Sequence, residues 1–158
     1  MTSEGVPGDG HGRPAVEGWF TTDRRSPALL ANRCKSCATF VFPPTNPSCP
    51  NPACDSGAFD KVELSRRGRI WSYTDARYRP PAPYVAVEPY EPFCIAAVEL
   101  EDEKLVVLGQ VVPGFGVDDL HVGMEVELTL GFLDDQAEDG PALVWKWRPV
   151  ANSPARGR

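Results

Sequence analysis

Histidine is nearly missing from this chain: His11 and His121 are the only two in 158 residues. His121 has no Ser or Cys in a triad context, which favours a structural role beside a turn over catalysis. A Gly-rich phosphate loop is also missing, since Gly114-Phe115-Gly116 reads as a turn. No apolar run approaches the ~20 residues that cross a bilayer, and the N-terminus lacks the apolar segment of a secretory signal. The expectation is a soluble, cytoplasmic protein with no membrane association. Long helices are disfavoured too, because Gly (14) and Pro (17) make up close to a fifth of the chain. Apolar residues at 42% and aromatics at 9% still suffice for a packed core.

The net charge of −6 hides an uneven distribution. Arg24 to Arg69 holds eight Lys/Arg against three acids, whereas Ile70 to Asp135 holds three against thirteen. A basic front half joined to an acidic back half suggests two modules with different partners. The acidic excess argues against tracking a phosphate backbone, so no nucleic-acid partner is expected.

Residues 1–18 read as a flexible, Gly-rich tail or linker, and 151–158 as a disordered C-terminal tail. Residues 19–67 form the basic module, with one helical turn within Ala15 to Thr22 presenting Trp19 and Phe20. Short strands follow at Ala28 to Arg33, Thr39 to Phe42 and Phe59 to Leu64. Residues 68–150 form a series of strands: Arg69 to Tyr78, Phe93 to Leu100, Leu105 to Val112, Met124 to Phe132 and Leu143 to Val150. Glu101-Asp102-Glu103-Lys104 makes a charged hairpin turn, and Asp118 to Gly123 one turn of helix or 3₁₀. Met124, Val126, Leu128, Leu130 and Phe132 alternate with polar residues, the mark of a strand with one wet face. Five such strands fit a small closed barrel of the OB type, with an open sandwich as the alternative. Trp71, Tyr73, Trp145 and Trp147 are then mostly barrel core.

Four of the five cysteines, Cys34, Cys37, Cys49 and Cys54, are spaced C-x2-C-x11-C-x4-C. Each pair can reach one ion, and four soft thiolates with no open position suit a structural Zn²⁺. So small a module buries little apolar surface, and a metal would supply the missing folding energy. A disulfide pair, an iron–sulfur cluster or four unrelated buried thiols are the alternatives. The second knuckle carries Pro50 and Pro52 and is two residues longer than usual. Cys94, alone in an apolar strand, reads as a buried small hydrophobe.

Taken in order, the four-Cys ribbon with Phe42-Pro43-Pro44 between its knuckles, Gly68-Arg69-Ile70-Trp71-Ser72-Tyr73-Thr74, Pro92-Phe93-Cys94-Ile95-Ala96-Ala97-Val98-Glu99-Leu100 and Leu120-His121-Val122-Gly123-Met124-Glu125-Val126 resemble the DUF35 family, over residues 17 to 150. The long second knuckle is the departure, since members usually carry Cys-Pro-x-Cys there. The resemblance implies a mainly β fold, a rubredoxin-like zinc ribbon followed by a five-stranded OB-fold barrel. It also implies a non-catalytic partner of a thiolase-superfamily aldolase or thiolase acting on acyl-CoA, as a heterotetramer. Some members pair with a MaoC-like hydratase. One pairs with an aldolase that releases propionyl-CoA from a steroid side-chain CoA ester by retro-aldol cleavage, a lyase reaction of steroid degradation. A single-stranded nucleic-acid-binding OB-fold and an independent enzyme such as a hydrolase are the competing readings.

On that reading, Arg24, Arg25, Arg33, Lys35, Arg66 and Arg67 are the candidates for contact with CoA phosphates or with an acidic partner surface. The segment from Tyr78 to Phe93 is the candidate partner interface. Its prolines forbid an inner strand, yet it carries Tyr78, Tyr84, Tyr90 and Phe93, rings that suit docking.

Overall fold

The computed structural model describes residues 13–79, 90–134 and 142–150, without the side chains of 133 and 134. Among the described residues, nine strands run in chain order: β1 (Arg13–Pro14), β2 (Leu30–Cys34), β3 (Phe40–Val41), β4 (Phe59–Glu63), β5 (Arg67–Ala76), β6 (Phe93–Leu100), β7 (Val106–Val111), β8 (Glu125–Asp134) and β9 (Ala142–Pro149). A 3₁₀ turn, Val117–Asp119, precedes β8.

β2 lies between β3 and β4 in a small antiparallel sheet that carries the first knuckle. The five long strands close on themselves in the order β9-β7-β6-β5-β8, with β8 returning to β9. This is the OB-type barrel, and the open sandwich is excluded. The β7–β9 seam is short, only Gln110↔Lys146 and Val111↔Trp147. Beyond it, β1 pairs in parallel with the same edge of β9 at Ala142 and Leu143, and the Ala15 N–H donates to the Leu143 carbonyl at 2.7 Å. Arg13 and Pro14, expected in a flexible tail, therefore belong to the barrel sheet.

The barrel interior follows from strict alternation. Cys94, Ala96, Val98 and Leu100 point inward from β6, Val107 and Val111 from β7, and Trp147 is fully buried from β9. Gly68 permits the β5–β6 approach, because a Cβ there would lie 2.4 Å from the Glu99 carbonyl oxygen.

Two expectations are corrected. No α-helix occurs among the described residues. Gly18 takes φ +83°, and Trp19 to Thr21 run antiparallel to Ala28 to Leu30 instead of coiling. Trp71 is not core; it is 62% exposed. A bulge between Ile70 and Ser72 sets two residues of β5 against one of β6, so Ile70 and Tyr73 both turn inward while Trp71 faces out.

Candidate metal centre and basic groove

The first knuckle is a tight loop at the end of β2. The Cys34 N–H donates to the Thr39 carbonyl at 2.9 Å, and the Ala38 N–H donates to the Cys34 carbonyl at 3.0 Å. Ala38 takes φ +63° to turn the chain back. The second knuckle uses its two extra residues for one more turn. The Cys54 N–H donates to the Asn51 carbonyl at 2.9 Å, and the Ala53 N–H to Asn51 Oδ1 at 3.0 Å. The Cys49 N–H donates to the Ser56 carbonyl, so the prolines brace this loop without breaking it.

All four Sγ atoms lie within 4.8 Å of one another. Cys34 and Cys54 are 3.8 Å apart, and Cys37 and Cys49 are 3.5 Å apart. None of the four is in a disulfide. A tetrahedron with Zn–S bonds of about 2.3 Å has edges close to these separations, so the donor set fits Zn²⁺. The hydroxyl of Thr39, 3.1 Å from its sulfur, holds the Cys37 thiol down to about 6. The Asn51 N–H pulls Cys49 down, but burial and the neighbouring thiols outweigh it and push that group up to about 12. With one ready thiolate and one proton-holding thiol, the cluster is built to exchange protons for a cation.

Four of the six basic candidates converge. Arg24, Arg25, Arg66 and Arg67 line a groove of about 500 Å³ at the junction of ribbon and barrel, joined by Arg148. Glu101, Asp102 and Glu127 line it too, so the groove is cationic but not uniformly so. Arg67 pairs with Glu125 at 3.2 Å, Arg148 pairs with Glu127, and Arg66 donates to the Ser26 hydroxyl. Arg24 lies over the Phe132 ring at 5.4 Å. The other two candidates are placed elsewhere. Arg33 stacks on Phe40, and Lys35 is 3.6 Å from Asp60. Sequence reasoning missed Arg148. Its alternation in β9 marked it as outward-facing, but its position opposite Glu127 depends on strand register.

The interface candidates divide in the same way. Tyr78 is 76% exposed, whereas the Tyr90 hydroxyl donates to the Ala76 carbonyl at 2.6 Å and its ring is half-buried. Phe93 opens β6, half-buried, and Tyr84 lies outside the described residues. Cys94 is 4% exposed with its Sγ 3.5 Å from the Phe115 carbonyl, and burial pushes its thiol up. That is the small buried hydrophobe expected.

Comparison with known proteins follows this division of the chain. Residues 22–60 match the family described as ChsH2, rubredoxin-like zinc ribbon domain, and residues 61–131 match ChsH2, C-terminal OB-fold domain. A DUF35 domain-containing scaffold protein of Methanocaldococcus jannaschii is 30% identical over 78% of this chain and 83% of its own. The chain belongs to the DUF35 family. Its relatives include the benzoylsuccinyl-CoA thiolase subunit BbsA of Thauera aromatica, 32% identical over 81% of either chain. BbsA of Geobacter metallireducens is also 32% identical, over 79% of this chain and 77% of its own. Among solved structures, a chain of the Ltp2-ChsH2(DUF35) aldolase superposes with a TM-score of 0.61 at 31% identity, covering 87% of this DUF35 protein and 98% of that chain. The four-Cys ribbon therefore belongs to a family whose ribbon is named for zinc, and the longer second knuckle has not dispersed its ligands.

Proposed function

We propose that this DUF35 protein is the scaffold subunit of a thiolase-superfamily enzyme that makes or breaks a carbon–carbon bond in an acyl-CoA. The observation that carries this reading is similarity over 79 to 87% of the chain to two benzoylsuccinyl-CoA thiolase subunits, BbsA, and to a chain of the Ltp2-ChsH2(DUF35) aldolase. In this reading Cys34, Cys37, Cys49 and Cys54 hold a structural Zn²⁺, which fixes the ribbon and takes no part in chemistry. The reacting groups belong to the partner, and this chain supplies no catalytic residue.

The finer reading is that the partner is an aldolase performing retro-aldol cleavage of a 17-hydroxy steroid CoA ester, with release of propionyl-CoA. The likeness to the Ltp2-ChsH2(DUF35) aldolase supports the aldolase partner, while the steroid ester, and a MaoC-like hydratase to supply it, come from the family resemblance alone. In this reading the two subunits form a heterotetramer. In it, the groove of Arg24, Arg25, Arg66 and Arg67 meets the phosphates of CoA. The guanidiniums of Arg25 and Arg66 carry that role, because Arg67 and Arg148 already face carboxylates. Co-expression with a thiolase-like protein, followed by sizing and assay against steroid and benzoylsuccinyl CoA esters, tests both levels. Co-elution with cleavage of the steroid ester alone supports the finer reading. Turnover of the other ester alone keeps the scaffold role and removes the steroid.

A further inference from the structure

Among the described residues, the barrel carries an exposed apolar stripe on its outside. Because of the bulge in β5, Trp71 faces outward beside Ser72, which pairs with Ala97 of β6, which in turn pairs with Leu108 of β7. Leu108 is 63% exposed, and Val106, two residues earlier on the same face, is 45% exposed. Ala97 between them is buried although it points away from the core, as a small residue is when larger neighbours flank it. At the other edge of β5 lies Val122, half exposed, in the turn whose Gly123 N–H donates to the Ile70 carbonyl. Four of the seven large exposed hydrophobics among the described residues thus fall on or beside one sheet face. Clustered exposed apolar residues of this kind mark interaction sites, whereas single ones do not.

We propose that this outer face of β5–β7 is the docking surface for the thiolase-superfamily partner, an inference that rests on the function proposed above. The border of the stripe selects the occupant. Glu99, Glu101 and Glu125 outnumber Arg69 and Lys104 around the recess at its end, within a lobe that is strongly acidic from Ile70 to Asp135. A nucleic acid would set phosphates against those carboxylates, and Val106 and Leu108 offer no ring for a base. A second copy of this chain would set the carboxylates against themselves. The occupant that fits is a protein surface with an apolar patch bordered by Lys and Arg. Outward-facing Trp71 and Leu108 are the anchors.

The test uses the full chain co-expressed with its thiolase-like partner, and Leu108→Asp as the variant. Leu108 is largely in water already, so zinc content and melting temperature should stay as in the wild type while Kd for the partner rises at least about tenfold. Raising the salt concentration should weaken the wild-type complex, and Glu99→Lys should weaken it at low salt. If L108D does not fold, E99K carries the test, since it exchanges one exposed charge for another. Wild-type affinity in a folded L108D or in E99K overturns the proposal. So does a wild-type self-association that L108D abolishes, or binding of a single-stranded oligonucleotide that Trp71→Ala abolishes. If the wild-type chain itself binds no thiolase-like partner, the proposed function fails first, and the docking face fails with it.

Discussion

Cys37 and Cys49 are 3.5 Å apart yet differ widely in proton affinity, one held down to about 6 by Thr39 and the other pushed up to about 12. Zinc needs all four as thiolates, so loading the site near neutral pH displaces the protons of Cys49 and Cys54, while Cys37 has already lost its own. At Cys54 the Ser56 N–H pulls the thiol down, but burial and the neighbouring thiols outweigh it and push the group up. Protons compete with the metal, and affinity must fall as pH falls. Below about 6 Cys37 becomes protonated as well, and the dependence steepens by about one further proton. A chromogenic chelator should find about one zinc per chain at pH 8 and increasing release toward pH 5. Cys34→Ser should abolish that stoichiometry. The basic groove makes a second prediction at this scale. Arg25→Glu with Arg66→Glu should raise the apparent KM for the CoA ester about tenfold or more and leave the complex intact; a weakened complex with an unchanged KM would assign the groove to the partner. The cysteines were legible in the sequence because chelation here is local, confined to residues 34–54. The groove was half legible. Arg24, Arg25, Arg66 and Arg67 are close in sequence, whereas Arg148 reaches it only through its register with β8.

Trp145 of β9 joins the two halves of the chain. Its ring meets Phe20 at 5.6 Å and Phe42 at 5.8 Å, both edge-on, and Trp19 at 6.3 Å. Its indole N–H donates to the Leu108 carbonyl at 2.9 Å. The ribbon and its approach segment are thus seated on the barrel by aromatic packing. A two-carboxylate clamp adds to this: the Ser65 N–H donates to Glu103 and its hydroxyl to Asp102, both in the β6–β7 turn. Trp145→Ala should cost about 3 kcal/mol, and amide exchange should rise around Trp19 and Phe42 more than in β6. Uniform loss of protection would show that the two parts unfold as one unit. At this scale the long strands were legible from alternation and apolar runs, because each has one face in the core. The bulge at Trp71 and the strand at Arg13–Pro14 were not. The first depends on how two strands pair, and the second on an edge of β9 left open by the short β7 seam.

For the whole molecule, charge and architecture coincide. The cationic groove lies where ribbon meets barrel, and the apolar stripe lies on the acidic lobe. Among the described residues no helix is long and apolar enough to cross a membrane. The family was legible from the order of motifs along the chain; the groove was legible only in part and the apolar stripe not at all, since both are completed by the folding of distant segments. The measurement that bears most directly on the scaffold role is cleavage of an acyl-CoA by the thiolase-like partner purified with and without this chain. The scaffold role predicts a co-eluting complex of fixed stoichiometry that cleaves the ester, with activity lost when the chain is left out and restored when the zinc-loaded protein is added back. A partner equally active alone, with no complex on sizing, would contradict it.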